Sequence, residues 1–115
     1  MAEKVINIAT DFSQFPGGRF RTDGPHSGEE FRDDILAPAL KSGDTVRLIL
    51  DGVAGLPSSF REEAFGGLVR KYNFTPAQLS VSLKFSAETP RMRSYPEAIR
   101  RNIENAAGSN KDKSA

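Results

Sequence analysis

The sequence predicts an α/β fold, a small mixed sheet of four strands carrying about three helices. Three observations lead there. The stretch Thr45-Val-Arg-Leu-Ile-Leu-Asp51 has apolar residues on both faces, as a strand in a covered sheet does. Two segments with apolar residues at helical spacing start from serines, at Ser27 and at Ser58-Ser59. Period-2 and period-3.6 stretches alternate along the chain, and such alternation favours parallel crossovers.

Val5 to Ile8 reads as the first strand, with Asn7 the polar interruption. In Phe15-Pro-Gly-Gly-Arg-Phe-Arg21, Pro16, Gly17 and Gly18 predict a turn, and Arg19 to Arg21 then return as an antiparallel edge strand. Ser27-Gly-Glu-Glu30 has capping-box spacing and opens a helix whose inner face is Phe31, Ile35, Leu36, Ala39 and Leu40. Pro38 removes a backbone donor inside it, so a kink or early end is expected there. Thr45 to Leu50 is the central strand. A second helix runs from about Ser59 to Tyr72, with Ser59 and Glu62 again at capping-box spacing. Leu79-Ser-Val-Ser-Leu-Lys-Phe85 alternates strictly and reads as a strand. A last helix starts near Pro90 or Pro96 and carries Ile99, Ile103 and Ala106. Residues 1–107 then form the domain, and 108–115, with no apolar residue before the terminal alanine, read as a disordered tail.

Composition narrows the function. A chain of 115 residues with 37% apolar content suits one domain with one core. A net charge of +1 leaves no large basic field for nucleic acid. The charge is mildly uneven, since Arg91 to Ala115 holds six basic and three acidic residues. Without cysteine there is no disulfide, thiolate chemistry or sulfur-ligated metal. One histidine and scattered acids give no ligand set, so neither metal nor cofactor is expected. No apolar run approaches a membrane span, and the cytoplasm is the expected location.

In α/β sheets, sites gather where strands end and the following helices begin. Asp51-Gly-Val-Ala-Gly-Leu-Pro-Ser-Ser59 occupies that junction. Ser59 is read as a helix cap, which leaves Ser58 free near the positive end of the helix. A serine nucleophile would need a base, and the single histidine, His26, is the one candidate for it. Pro57-Ser-Ser-Phe60 lacks the glycines of a nucleophile elbow. Gly66-Gly67 costs the second helix about 1 kcal/mol per glycine, which predicts a close approach there by a neighbouring backbone.

The segments Pro16-Gly-Gly-Arg19, Ser27-Gly-Glu-Glu-Phe-Arg32, Ile35-Leu-Ala-Pro-Ala-Leu40, Leu50-Asp-Gly-Val53 and Ser58-Ser-Phe-Arg-Glu-Glu-Ala-Phe-Gly-Gly67 resemble the small bacterial STAS-like family of unknown function, related to anti-sigma-factor antagonists. The resemblance implies a regulatory protein-binding module and no enzyme, with a histidine-kinase-type ATPase as its partner. It also implies a phosphoacceptor role for Ser58, although Pro57 and Phe60 replace the aspartate and glycine around the antagonists' serine. The docking surface so implied comprises Asp51, Gly55, Leu56, Pro57, Ser58, Ser59 and Phe60, with Gly17, Gly18 and Arg19 nearby. Two alternatives stand beside it: a small enzyme using Ser58 with His26, and a protein of phage–bacterial conflict that acts by protein binding.

Overall fold

The computed structural model describes residues 3–43 and 45–114, with side chains through Gly108. The expected tail, 108–115, therefore falls beyond its first residue outside the described side chains. The elements are β1 (Glu3–Asn7), α1 (Ile8–Asp11), α2 (28–41), β2 (Thr45–Ile49), α3 (58–72), α4 (Pro76–Ser82), β3 (Leu83–Ser86) and α5 (Tyr95–Ser114). Single 3₁₀ turns occur at Arg21–Asp23 and Pro90–Met92.

The sheet has three strands in the order β1-β2-β3, and both pairings are parallel. With three strands and five helices among the described residues, this corrects the expected mixed, four-stranded sheet and its three helices. Both missing features have local causes. At the expected hairpin, one carboxylate oxygen of Asp23 accepts from the Arg19 and Phe20 amides, at 3.2 and 2.8 Å. Those donors are then unavailable to a ladder, and the chain closes as a 3₁₀ turn. At 79–85, helix replaces the first half of the expected strand. Thr75 accepts from the Gln78 amide at 3.1 Å, and Gln78 reaches back to the Thr75 amide at 2.8 Å. This reciprocal cap, with Pro76 in the first turn, overrides the alternation of Leu79, Val81 and Leu83.

Burial of the sheet is one-sided. Ile6, Val46, Leu48, Leu50 and Leu83 lie in the core, whereas Val5 is 52% exposed and the cross-strand row Val5–Arg47–Lys84 faces outward. The reading of β2 as covered on both faces is corrected accordingly: Arg47 and Ile49 are half-buried.

α2 and α3 form the layer that positions the site. Ser27 caps α2 by accepting from the Glu30 amide at 3.1 Å, while Glu30 turns to the His26 amide at 3.0 Å. Pro38 does not end α2, which runs to Lys41. A wide π turn at Arg32–Leu36 precedes it, in which the Ala37 amide donates to the Arg32 carbonyl five residues back. A matching wide turn in α3 spans Glu62–Gly66. Between these turns Arg32 is fully buried, 2.5 Å from the Glu63 carboxylate and 3.0 Å from the Glu63 carbonyl. Its Nε meets Asp33 at 2.8 Å, and the Tyr72 hydroxyl donates to the same carboxylate oxygen at 2.8 Å.

The glycine pair in α3 now has its explanation, and it is a side chain instead of a backbone. A Cβ on Gly67 would overlap the Arg32 guanidinium and stand 2.9 Å from its Cδ. A Cβ on Gly66 would lie 2.8 Å from the Glu62 carboxylate. The backbones do close at the other end of the layer, where a Cβ on Gly28 would sit 2.5 Å from the Phe60 carbonyl oxygen.

Removing one member of a buried ion pair leaves the other uncompensated, at a cost of about 3–5 kcal/mol. Arg32→Met should lower unfolding stability by that amount in urea melts, and Arg32→Met with Glu63→Met should recover most of it. Gly67→Ala, which would stabilise an open helix position, should instead destabilise by about 1–3 kcal/mol through overpacking.

Candidate functional site

The junction after β2 is a loop fastened at several points. Asp51 Oδ1 accepts from the Thr89 hydroxyl at 2.7 Å and from the Thr89 and Glu88 amides at 2.8 and 2.9 Å. Those bonds, the Thr89 hydroxyl foremost, hold the carboxyl below the usual aspartate range. Arg91 returns the tie, donating to the Ala54 carbonyl at 2.6 Å and the Val53 carbonyl at 2.9 Å. The Ala54 amide donates to the Gln14 carbonyl at 2.8 Å. Arg61 donates to the Leu56 carbonyl, and the Leu56 amide reaches the Tyr95 hydroxyl at 3.3 Å.

The structure brings the 15–19 turn beside this loop. Phe15 and Pro16 line one side of a groove of about 490 Å³, and Ala54, Gly55, Leu56, Pro57, Arg61 and Tyr95 line the rest. Phe15 is 73% exposed, the most accessible large apolar side chain described. The turn is anchored to the start of α2 by bonds from the Gly17 amide to His26 and from Gly28 and Glu29 amides to Gly18 and Arg19, each 3.0 Å. Gly18 has φ +88°, which suits glycine.

The predicted site residues divide by their surroundings. Pro57 and Ser58 are exposed, and Gly55 and Ser59 are half-buried. Leu56 and Phe60 are buried, so their side chains support the loop from beneath. Phe60 stacks within an aromatic cluster, with ring centroids 5.9 Å from Phe31 and 6.2 Å from Phe12. Asp51 is committed to residues 88–89, as above. Arg19 turns away to Glu62 at 2.5 Å and Glu63 at 3.4 Å. Glu62 also holds Arg70 at 2.5 Å. Burial pushes the Glu62 carboxyl upward, but bonds from Arg70 and Arg19 outweigh it and leave the group below its ordinary value.

The expected cap at Ser59 is not made. Pro57 is the cap residue of α3, helix begins at Ser58, and no side-chain oxygen caps its amides. Glu62, the other half of the expected box, is taken by the two arginines. Among the described residues neither Ser58 nor Ser59 makes a side-chain hydrogen bond. His26 sits edge-on to Phe12, with centroids 5.4 Å apart, and bonds to neither serine. No group of three or more His, Cys, Asp or Glu among the described residues is placed to hold a metal. No helix among them is long and apolar enough to cross a membrane.

Three residues of the site went unread in the sequence. Arg61 lies inside a helical pattern, where a charge reads as a solvated face, and Tyr95 stands between two candidate helix starts. Arg91 figured only in the count of basic residues after position 90. Tyr95 and Arg91 act through backbone partners 37 to 39 residues away, which leaves no local spacing signal, and Arg61 turns back from α3 to the Leu56 carbonyl of the loop before it.

Residues 27–91, more than half the chain, match a family described as a STAS-like domain of unknown function. Neither a curated protein nor a solved structure matches.

A group whose folded pKa is depressed adds stability above its unfolded value, about 3.9 for aspartate, and loses it as pH falls through the lower folded value. Asp51→Ala should therefore lower the urea midpoint at pH 7. Its gap to the parent protein should narrow when the same melts are run near pH 2.

Proposed function

The chain belongs to the STAS-like domain family, and from that premise we propose that it is a regulatory protein-binding module. It docks a partner through the rim of the 51–59 loop and the adjoining 15–18 turn. The surface comprises Phe15, Gly17, Gly18, Gly55, Pro57, Ser58 and Ser59, supported by buried Pro16, Leu56 and Phe60. The partner is a histidine-kinase-type ATPase, and Ser58 is the residue it modifies.

One observation carries this reading. Ser58 is an exposed hydroxyl without a hydrogen-bond partner among the described residues, in the first turn of α3, beside an apolar groove with a strongly exposed phenylalanine. A single exposed apolar side chain is ordinary, and here it is its place at the edge of an apolar groove that suits a partner. A phosphate on Ser58 would add roughly −1.5 to −2 charge to the rim of an apolar contact. Docking would then have to desolvate that charge, and binding would weaken.

The test compares the parent protein with Ser58→Glu and Ser58→Ala as baits in native lysate. Ser58→Ala should recover the partner as the parent does, and Ser58→Glu should recover at least about tenfold less, a loss of about 1.4 kcal/mol. Equal recovery by all three would count against docking here. Intact-mass measurement of the protein from its native host reads the modification itself.

A further inference from the structure

Across Arg61 and Tyr95, which line both, the apolar groove adjoins a second cleft of about 450 Å³ lined also by Arg91, Ser94, Glu97, Ala98 and Arg101. This cleft lies where the first turns of α3 and α5 converge. Two of its arginines lack a carboxylate partner among the described residues, as do Arg93, which bonds the Glu88 carbonyl, and Arg100, which lies over the Phe85 ring, both outside the lining. Arg19, Arg21, Arg32, Arg47 and Arg70 each pair with a carboxylate. Arg61 and Arg91 have only neutral backbone carbonyls as partners. Arg61 also lies 5.4 Å from the Tyr95 ring centroid, and its Nε is buried with no hydrogen-bond partner. Arg101 meets Glu97 at 3.1 Å, the one carboxylate in the lining. Three cations thus face one anion.

We propose that this cleft binds a carboxylate side chain of the docked protein, next to an apolar side chain seated in the groove against Phe15. This rests on the docking reading above and gives the partner's segment its chemistry, an acidic residue beside an apolar one. The geometry favours such an occupant. Arg61 and Arg91 are held by the loop carbonyls, so little side-chain freedom is lost when a carboxylate arrives. Each keeps further N–H donors, and charge-assisted bonds from arginine to carboxylate are the stronger kind. The first-turn amides of α5, a helix of 20 residues, add partial positive charge. The groove on the other side of Arg61 and Tyr95 supplies the apolar neighbour. It also sets the sign of regulation. Ser58 stands one turn before Arg61 on α3, so a phosphate there would repel an acidic segment and compete for Arg61.

The test is a nitrogen-15 NMR titration of the full chain with acetyl-Leu-Glu-Glu-amide, against acetyl-Leu-Gln-Gln-amide and inorganic phosphate. The glutamate peptide should shift the amides of 54–56 and 94–98 and the Arg61 side-chain signal, saturably. The glutamine peptide should bind at least about tenfold more weakly, and added salt should weaken the glutamate peptide, as screening requires. Arg101→Gln, which removes an exposed side chain held only by Glu97, should weaken it by about threefold or more. Equal binding of the two peptides, or no shifts in the cleft, overturns the proposal. Phosphate binding there without the peptide also overturns it, in favour of a small-anion site. If Arg101→Gln captures the partner as fully as the parent while Ser58→Glu does not, docking stands and the acidic contact falls. If the glutamate peptide binds as expected while Ser58→Glu still captures the partner in full, the cleft stands and docking through the loop falls.

Discussion

Arg32 lies between α2 and α3 with no solvent exposure, and its charge is balanced by Glu63 at 2.5 Å. Around that contact the two helices are fitted to each other. Wide turns open in both at this level, and Gly67 leaves the space the guanidinium fills. A pair of this kind gives modest net stability, because desolvating both charges offsets most of their attraction. Arg32 also carries a buried Nη2 with no hydrogen-bond partner among the described residues, which adds to the cost. Its effect is on register. A shift of α3 by one residue would take Glu63 away and leave a buried charge alone, and in one direction it would also drive Leu68 into the guanidinium. The start of α3, and with it Ser58, is therefore placed by a contact well inside the helix.

The same network accounts for where the surface charge is spent. Glu62 and Glu63 draw Arg19 and Arg70 together, and Asp33 draws Arg32 and the Tyr72 hydroxyl. The α2–α3 side is left with cations and anions in balance. The loop side is different, since Arg61 and Arg91 are engaged with carbonyls. A chain of near-zero net charge can thus present a local positive surface, and the mild excess of basic residues after position 90 reaches the site through Arg91 and Arg101.

Much of the helical layer was legible in the sequence. Phe31, Leu36, Ala39 and Leu40, and likewise Phe60, Ala64, Phe65, Leu68 and Val69, follow a helical period and are buried. The central strand was legible as well. Two errors arose where a local hydrogen bond defeats a pattern. The alternation through 79–85 looked like a strand, but Thr75 and Gln78 nucleate a helix in its first half. The Thr-Pro-x-Gln signal was there to be read. The turn at 15–21 looked like a hairpin until Asp23 took its amides. The site was legible in part. Its expected location followed from fold logic at the end of β2, and Ser58, read as lying just outside the helix, is instead the first residue of α3. The expected role of Ser59 as a cap was mistaken, because helix begins a residue earlier and Glu62 is needed elsewhere. Arg91, which holds carbonyls 37 and 38 residues away, leaves no trace in spacing.

The loops after β2 and β3 are tied in both directions: Asp51 accepts from residues 88–89, while Arg91 donates to residues 53–54. A reciprocal latch of this sort resists hinge motion, since opening either loop breaks bonds in both. A signal delivered at this corner would travel poorly as a change of shape. Its natural currency is electrostatic, a potential altered on a rigid frame and read at once by whatever rests upon it.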